Sequence, residues 1–591
     1  MSGLVGIVNG HPVAHDLVGA LSRLESRGYD TAGLAVAGPG FAVRRVVGPA
    51  TALTSYVGDR EFAGRAGIAN ARWSSAERPE GRGALPQVWQ GVAVVHNGIV
   101  ENHAALRRDL KALGHSFETE ADSEIIPHLI AAARAEGCAP DMAVRQACAR
   151  MQGTYAMAVL FGDAPDRVLA ASCGSPVVVA RGAGGAAVAS DAMALAGLAD
   201  EYATLEDGDV AELANDGVRI LDRDGHPAER VWRSLTPSDP GVGADFHDTL
   251  TRRDIACNSR ALQRADAGLR GAVLPPSVAV AERLLIVAGG SALHAAAAAR
   301  DWIEILSGVP CDVEMVSEWR DRAAPLARGT VGVIVSRSGG SGDAFACQQA
   351  MRERGVPTVA VVPTVRSALA RTADLCWPTE AAPELGVAAT VSVSTQMLAL
   401  LRLGLALGTA RGTLAGDRLR QAERALAEAP LACALAEAAD ARLSAIAVRI
   451  AQAQRVVVLG RGWGAALAAD AALKLTQLAN IHAIAAPAGE VRNGPLAMVS
   501  EGVPVLVLAS ADQHFAKIAA SAEEIRARGG HVIALAEASC SASLDHAANE
   551  VLALPGRGLA QMFAQTVAVQ LVAYHTAHAL GRDVDRPRHL A

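Results

Sequence analysis

Aromatic residues make up only 3% of the 591-residue chain, no basic tract occurs anywhere in it, and its formal net charge is −7. Few rings leave few stacking platforms for unpaired bases, and the negative balance gives no hold on a phosphate backbone, so no nucleic-acid partner is expected. Hydrophobic content is 51%, largely alanine and valine. Even so, no uninterrupted apolar run approaches the roughly 18–20 residues of a bilayer span, and no membrane is expected. The nine cysteines are odd in number and scattered without a CxxC pair, and the N-terminus lacks the basic and apolar regions of a secretory signal. That usage points to a reducing cytoplasm with no structural metal, and no cofactor is expected.

What is present begins with MSGLVGIVNG. A small second residue lets the initiator methionine be removed, leaving Ser2 with an α-amino group beside its hydroxyl; such an end can combine nucleophile and base in one residue. An ordinary edge strand fits the same ten residues. The first two hundred residues alternate β-rich runs such as GLAVAG (33–38) and GVAVVHNG (91–98) with helical patterns such as HAALRRDLKAL (103–113), which predicts an α+β domain with sandwiched strands. Pro, Gly, Ser and Asp in SLTPSDPGVGADF (234–246) mark a break.

Beyond the break the chain reads as an internal repeat. RLLIVAGGSALHAA (283–296) matches RVVVLGRGWGAALAA (455–469), GVIVSRSGGSGDAF (332–345) matches VPVLVLASADQHF (503–515), and RGVPTVAVV (354–362) matches RGGHVIAL (528–535). Each half reads strand, helix, strand, helix, strand, the pattern of a doubly wound parallel sheet. The strand GVIVS runs into Ser336, Arg337, Ser338, two glycines, Ser341 and then a helical pattern. Glycines allow close backbone approach, hydroxyls and amides donate to oxygens, and a helix N-terminus favours an anion, so this loop is a candidate phosphate site. A polar strand-to-helix turn is the plainer alternative. The equivalent loop of the second half, ASADQHF, is poor in glycine and hydroxyls.

Taken together, LSRLESRGYDTAGLAV (21–36), ARWSS (71–75), VVHNGIVENH (94–103), ETEADSEIIPHL (118–129), SGVPCDVEMVSEWRDR (307–322), LGRG (459–462), EIRARGGHV (524–532) and DVDRPRHLA (583–591) resemble the glucosamine-6-phosphate synthase family, the isomerizing glutamine–fructose-6-phosphate aminotransferases, over essentially the whole length. The resemblance implies an α+β N-terminal-nucleophile (class II glutamine amidotransferase) domain at 2–233, a linker at 234–272, and two α/β SIS domains with doubly wound parallel sheets at 273–415 and 441–580. A helical connection at 416–440 joins them, and a tail occupies 581–591. It also implies glutamine and a sugar phosphate as ligands, and a homodimer formed through the SIS domains.

Carried over by position, Arg72 matches the arginine that grips the glutamine carboxylate, Asp122 the aspartate that holds its α-amino group, Asn97 and Gly98 the oxyanion hole, and Trp73 the gate of the ammonia channel. Ser75 is a conservative change, whereas Ala76 replaces a histidine. Ser291, Ser336, Ser338 and Ser341 match hydroxyl ligands of the sugar phosphate, and Val387 a backbone contact. Gly290 and Ala389 lack hydroxyls usual in the family. Arg337 replaces a glutamine, strengthens an anion site, and gives SRSG, which resembles the SIS deaminases and deglycases.

The departures concern chemistry. Ser2 stands where the family has a nucleophilic cysteine, and an alcohol supplies essentially no alkoxide at neutral pH without a base, so a slow or absent glutaminase is expected. Gln477 stands where a glutamate moves a proton between sugar C1 and C2, and Asn493 where a histidine opens the sugar ring; neither amide is a base near neutral pH. The family's imine-forming lysine follows Leu-Ala, where this chain stops at Ala591, while Lys474 is retained and Glu490 is also family-like. Three readings stay open: a divergent aminotransferase on a keto-sugar phosphate, an impaired pseudo-synthase that binds sugar phosphate or an active paralogue, and an amino-sugar phosphate deaminase or deglycase.

Overall fold

The computed structural model describes residues 2–25, 28–58, 60–72, 85–175, 177–235, 248–322, 324–365, 367–379, 384–588 and 590. It divides into two compact units, the first running to Asp245 and the second covering Phe246–Pro587.

Among the described residues the first unit holds an eight-stranded and a six-stranded sheet. Strand Gly3–Asn9 (GLVGIVN) shows why they stack. It lies between Gly185–Ala189 and Ala66–Arg72, antiparallel to both. Its side chains alternate between two cores: Val5 and Ile7 join Leu17 and Leu21 of the helix Ala14–Ser22, while Leu4 and Val8 join Val95, Ala158 and Val168 of the other sheet. Val92–Val100, in the six-stranded sheet, does the same in mirror fashion. Ala93 and Val95 face the first sheet, and Val92 and Val94 face Ile126 and Ile130 of the helix Ile125–Ala135. Period-2 patterning on strands apolar on both faces therefore produces helix, sheet, sheet and helix layers.

The second unit holds two five-stranded parallel sheets. Along the first the order is Cys311–Met315, Arg283–Ala288, Thr330–Val335, Thr358–Val362, Leu375–Pro378; along the second it is His482–Pro487, Arg455–Gly460, Pro504–Ala509, His531–Glu537, Glu550–Leu554. In both sheets the second strand in chain order lies on one side of the first and the third on the other, and the crevice at the carboxyl ends of the first and third strands is where such sheets bind ligands. The turns leaving the first strands are alike in detail: Gly290 has φ 56°, ψ −134° and Gly462 φ 55°, ψ −133°, a region that glycine enters readily. One apolar core spans both domains, with Ile303, Leu398, Leu467 and Phe563 among its members.

One sequence expectation changes here and another is kept. Of the 234–272 stretch read as a linker, 236–247 lie outside the described residues, but Leu250–Ala256 and Asn258–Leu269 are helices whose Ile255, Leu262, Ala265 and Leu269 enter that shared core. Pro and Gly cluster at 237–243; the apolar spacing after them belongs to the fold. The helix Val391–Ala410 is long and apolar enough to cross a membrane, yet 94% of its most apolar window is buried inside the protein.

Candidate functional site

The first site gathers around the start of the chain. The Asn97 side-chain amide donates to the Ser2 carbonyl at 2.7 Å and accepts from Asn70 Nδ2 at 2.9 Å, while Asn70 Nδ2 also reaches the Gly3 carbonyl at 2.8 Å. Two buried asparagines thus fix the backbone that carries Ser2. Gly98 has φ +110°, and an added Cβ would lie 2.0 Å from the Thr154 carbonyl oxygen, so only glycine fits. The Asp122 carboxylate accepts from the Val100 N–H at 2.9 Å, which holds the 3-10 turn Asp122–Glu124 against the end of the same strand. Arg72 ends the strand Ala66–Arg72 beside strand Gly3–Asn9.

His96, next to Asn97 on the same strand, is 3% exposed, its Nε2 buried without a hydrogen-bond partner. Burial pushes its pKa down from 6.5 to about 4; Asp122 opposes that shift and Arg72 adds to it. The imidazole is neutral at pH 7, an uncharged ring within electrostatic reach of both Arg72 and Asp122. Ser2, Arg72, Asn97, Gly98 and Asp122 are thereby drawn into one neighbourhood. Trp73, Ser75 and Ala76 lie outside the described residues. Asn70 and His96 were missed in the sequence, although Asn70 precedes Arg72 by two on one strand and His96 adjoins Asn97.

The second site lies at the switch point of the first parallel sheet. Ser291 opens the helix Ser291–Ser307, and Ser336–Ser341 connects the strand Thr330–Val335 to the helix Gly342–Glu353. Ser336 Oγ accepts from the Gly339 N–H at 3.0 Å and Ser338 Oγ from the Gly340 N–H at 3.3 Å, so the hydroxyls shape the loop. Arg337 departs from its expected role as an anion ligand. Its Nε pairs with Glu384 at 2.7 Å, and its two terminal nitrogens donate to the carbonyls of Gly386 and Val387, each at 2.6 Å. Val387 accordingly offers its carbonyl to an arginine. Burial would raise the Glu384 pKa, but Arg337 and hydrogen bonds from Thr390 and Ser392 outweigh it and hold the carboxyl below its usual range. Asp254, which accepts from the N–H groups of Leu385 and Gly386, is pushed up to about 6 by burial and by Glu384. An arginine following a serine at a helix-entry loop reads as an anion ligand; the acceptor loop that claims it is distant in sequence.

Across from Ser291 stands the helix Trp463–Lys474 of the second parallel-sheet domain. Lys474 is fully buried, and its Nζ donates to Ser291 Oγ at 2.5 Å and to Asp470 Oδ1 at 3.3 Å. Asp470 is 1% exposed and its Oδ2 has no partner. Burial opposes its charge, but Lys474, with His294 and Ser291, keeps its pKa below the ordinary carboxylate value. Gln477 sits in a π-helical turn, Leu475–Ala479, with its Oε1 buried and unpartnered. Such turns are common at functional sites. Asn493 is placed differently from the expectation: it is exposed, and its amide donates to Glu490 at 2.5 Å rather than to any member of this cluster. Asp470 was legible as the residue four before Lys474, a helical neighbour by spacing.

A glutamine amidotransferase domain model matches residues 71–197 and a SIS domain model matches 277–406 and 449–580. Proteins named glutamine–fructose-6-phosphate aminotransferase (isomerizing) from Rhizobium meliloti and Caulobacter vibrioides are each 36% identical to this chain, covering 100% of it and 99% of their own length. The solved C-terminal domain of glucosamine-fructose-6-phosphate aminotransferase from Francisella tularensis superposes with a TM-score of 0.56 at 27% identity, covering 58% of this chain and 100% of that one. With a glutamine amidotransferase domain, two SIS domains and full-length similarity to these enzymes, the chain belongs to the glutamine–fructose-6-phosphate aminotransferase family.

Proposed function

We propose that this protein transfers the amide nitrogen of glutamine to a keto-sugar phosphate, with the proton shift between sugar C1 and C2 impaired. The observation that carries the reading is the buried contact of Lys474 with Ser291, which joins a cation from one SIS domain to a hydroxyl at the mouth of the serine-rich loop of the other. A hydroxyl, a fixed positive charge and a helix N-terminus converge there on the place an anionic sugar would occupy. In the N-terminal unit, Arg72 and Asp122 suit the two charged ends of glutamine, and Asn97 with the Gly98 N–H suits the charge that develops on the amide oxygen. Ser2 is the nucleophile of this pocket, weaker than a thiol. Gln477 offers an amide where proton transfer between carbons needs a base.

A second reading, a protein that binds sugar phosphate without turning it over, draws on Asn493 being turned to the surface. The deaminase or deglycase reading rested on SRSG and draws no support from Arg337, whose donors are engaged by Glu384, Gly386 and Val387. The test is to supply glutamine with a panel of sugar phosphates and follow glutamate and aminated sugar by mass spectrometry. Aminated ketose phosphate is expected, with glucosamine 6-phosphate formed at least about 10²-fold more slowly than by an enzyme with the glutamate base. Binding without glutamate release or amination supports the second reading. Growth of a bacterium lacking its own synthase, rescued by this gene without added amino sugar, overturns the impairment.

A further inference from the structure

Resting on the sugar-phosphate reading above, we propose that His294, backed by Asp470, is the acid–base group that opens the sugar ring in this chain. His294 lies three residues after Ser291 on the helix Ser291–Ser307, so the two side chains share one face at its N-terminal end. Its Nδ1 is buried without a hydrogen-bond partner and stands 3.5 Å from Asp470 Oδ1, an ion-pair separation across the two SIS domains. The His294 side chain is 22% exposed, against 1% for Asp470. A carboxylate at the buried nitrogen and access at the rest of the ring is the arrangement by which an acid orients an imidazole and stabilises its cation.

Asp470 is held in place by Lys474, the same lysine that holds Ser291, so phosphate-loop hydroxyl, lysine, carboxylate and imidazole form one connected group. Asn493 and Gln477, the positions expected to act on the sugar, bring amides only, and Asn493 is committed to Glu490. His294 is the imidazole beside Ser291, and an imidazole can both accept a proton and donate one.

The step balances without a co-reactant. Nε2 of His294 takes the proton of the anomeric hydroxyl, and the electron pair of that O–H bond forms the carbonyl. The bond from the anomeric carbon to the ring oxygen breaks, its electrons go to the ring oxygen, and that oxygen takes the proton back from Nε2. The imidazole ends neutral, the ketose ends open, and in between Asp470 stabilises the imidazolium.

Ring opening is measurable without nitrogen transfer, as the rate at which the two anomers of fructose 6-phosphate exchange in NMR, and affinity is measured separately by calorimetry. The full-length protein is expected to accelerate exchange. His294→Gln, with melting unchanged, loses at least about 10²-fold of that acceleration while its dissociation constant moves less than about threefold. Asp470→Asn, acting through the imidazole, lowers exchange at saturating sugar. The proposal is overturned if His294→Gln exchanges as fast as the parent, if it loses binding instead of rate, or if the parent binds the sugar without accelerating exchange. Failure of the parent to bind fructose 6-phosphate overturns the sugar-phosphate reading itself, and this assignment with it.

Discussion

Ser2 is held through its carbonyl by the Asn97 amide, so the backbone at position 2 is positioned independently of which atom its side chain carries. That separates placement from reactivity. Ser2→Cys keeps the hydrogen bond and substitutes a thiol with an ordinary pKa of about 8.5, which supplies some thiolate at neutral pH. Glutamate release, followed by an enzyme-coupled assay, is expected to rise at least about tenfold, because the thiolate needs less help from a base. A folded Ser2→Cys protein that releases no more glutamate than the parent would show that the side chain at position 2 does not limit the rate. Arg72, Asn97, Gly98 and Asp122 were legible because each sits in a short motif. His96 was not, since nothing in VVHNG says that its ring is buried.

At the scale of elements, the decisive feature is a buried charge network. Arg402, 2% exposed on the apolar helix Val391–Ala410, donates from Nε to Asp266 at 2.7 Å and from a terminal nitrogen to Glu423 at 2.5 Å. Asp266 lies on the helix Asn258–Leu269 and Glu423 on Gly416–Ala427. Three helices, two of them in stretches read as connections, are thus tied to one guanidinium. Asp266→Ala leaves that guanidinium short of a buried partner and is expected to cost about 3–5 kcal/mol of stability in urea titrations. The pair Asp266→Leu with Arg402→Met should recover most of the loss. A loss below about 1 kcal/mol for Asp266→Ala would show that the network contributes little. The strands and helices themselves were readable from periodicity. The linker was misplaced because amphipathic helices with no partner in view look like spacers until the surface they cover is known.

Across the whole molecule, individual buried groups carry opposite responses to acid. In the first, His96 and His128 both have pKa values lowered to about 4, chiefly by burial, and His128 is stacked at 4.2 Å between Trp89 and Phe117. A folded pKa below the unfolded 6.5 means that the folded state binds fewer protons. The stability from the neutral rings is therefore present above about pH 6.5 and is lost as pH falls toward 4. In the second unit Asp254 is raised to about 6, so protonation favours the fold there as pH falls through that value. The first unit is expected to lose thermal stability on acidification over that window, by an amount on the order of 1–3 kcal/mol per histidine. His128→Phe keeps the stacking and should flatten the melting curve against pH; an unchanged pH dependence would remove His128 as a source.

The sequence by itself determined the two classes of domain, the parallel sheets of the SIS half, and the serine-rich loop, because periodicity, glycine-bearing turns and short motifs act within a few residues of one another. Only the tertiary structure decided which side chains meet. Arg337 was claimed by Glu384 from another loop, Asn493 turned to Glu490, and Ser291, His294, Asp470 and Lys474 were assembled from helices about 180 residues apart. The physical reason is that a side chain's partner is set by the packing of elements distant along the chain, and local pattern carries no information about which distant carboxylate a buried cation will find.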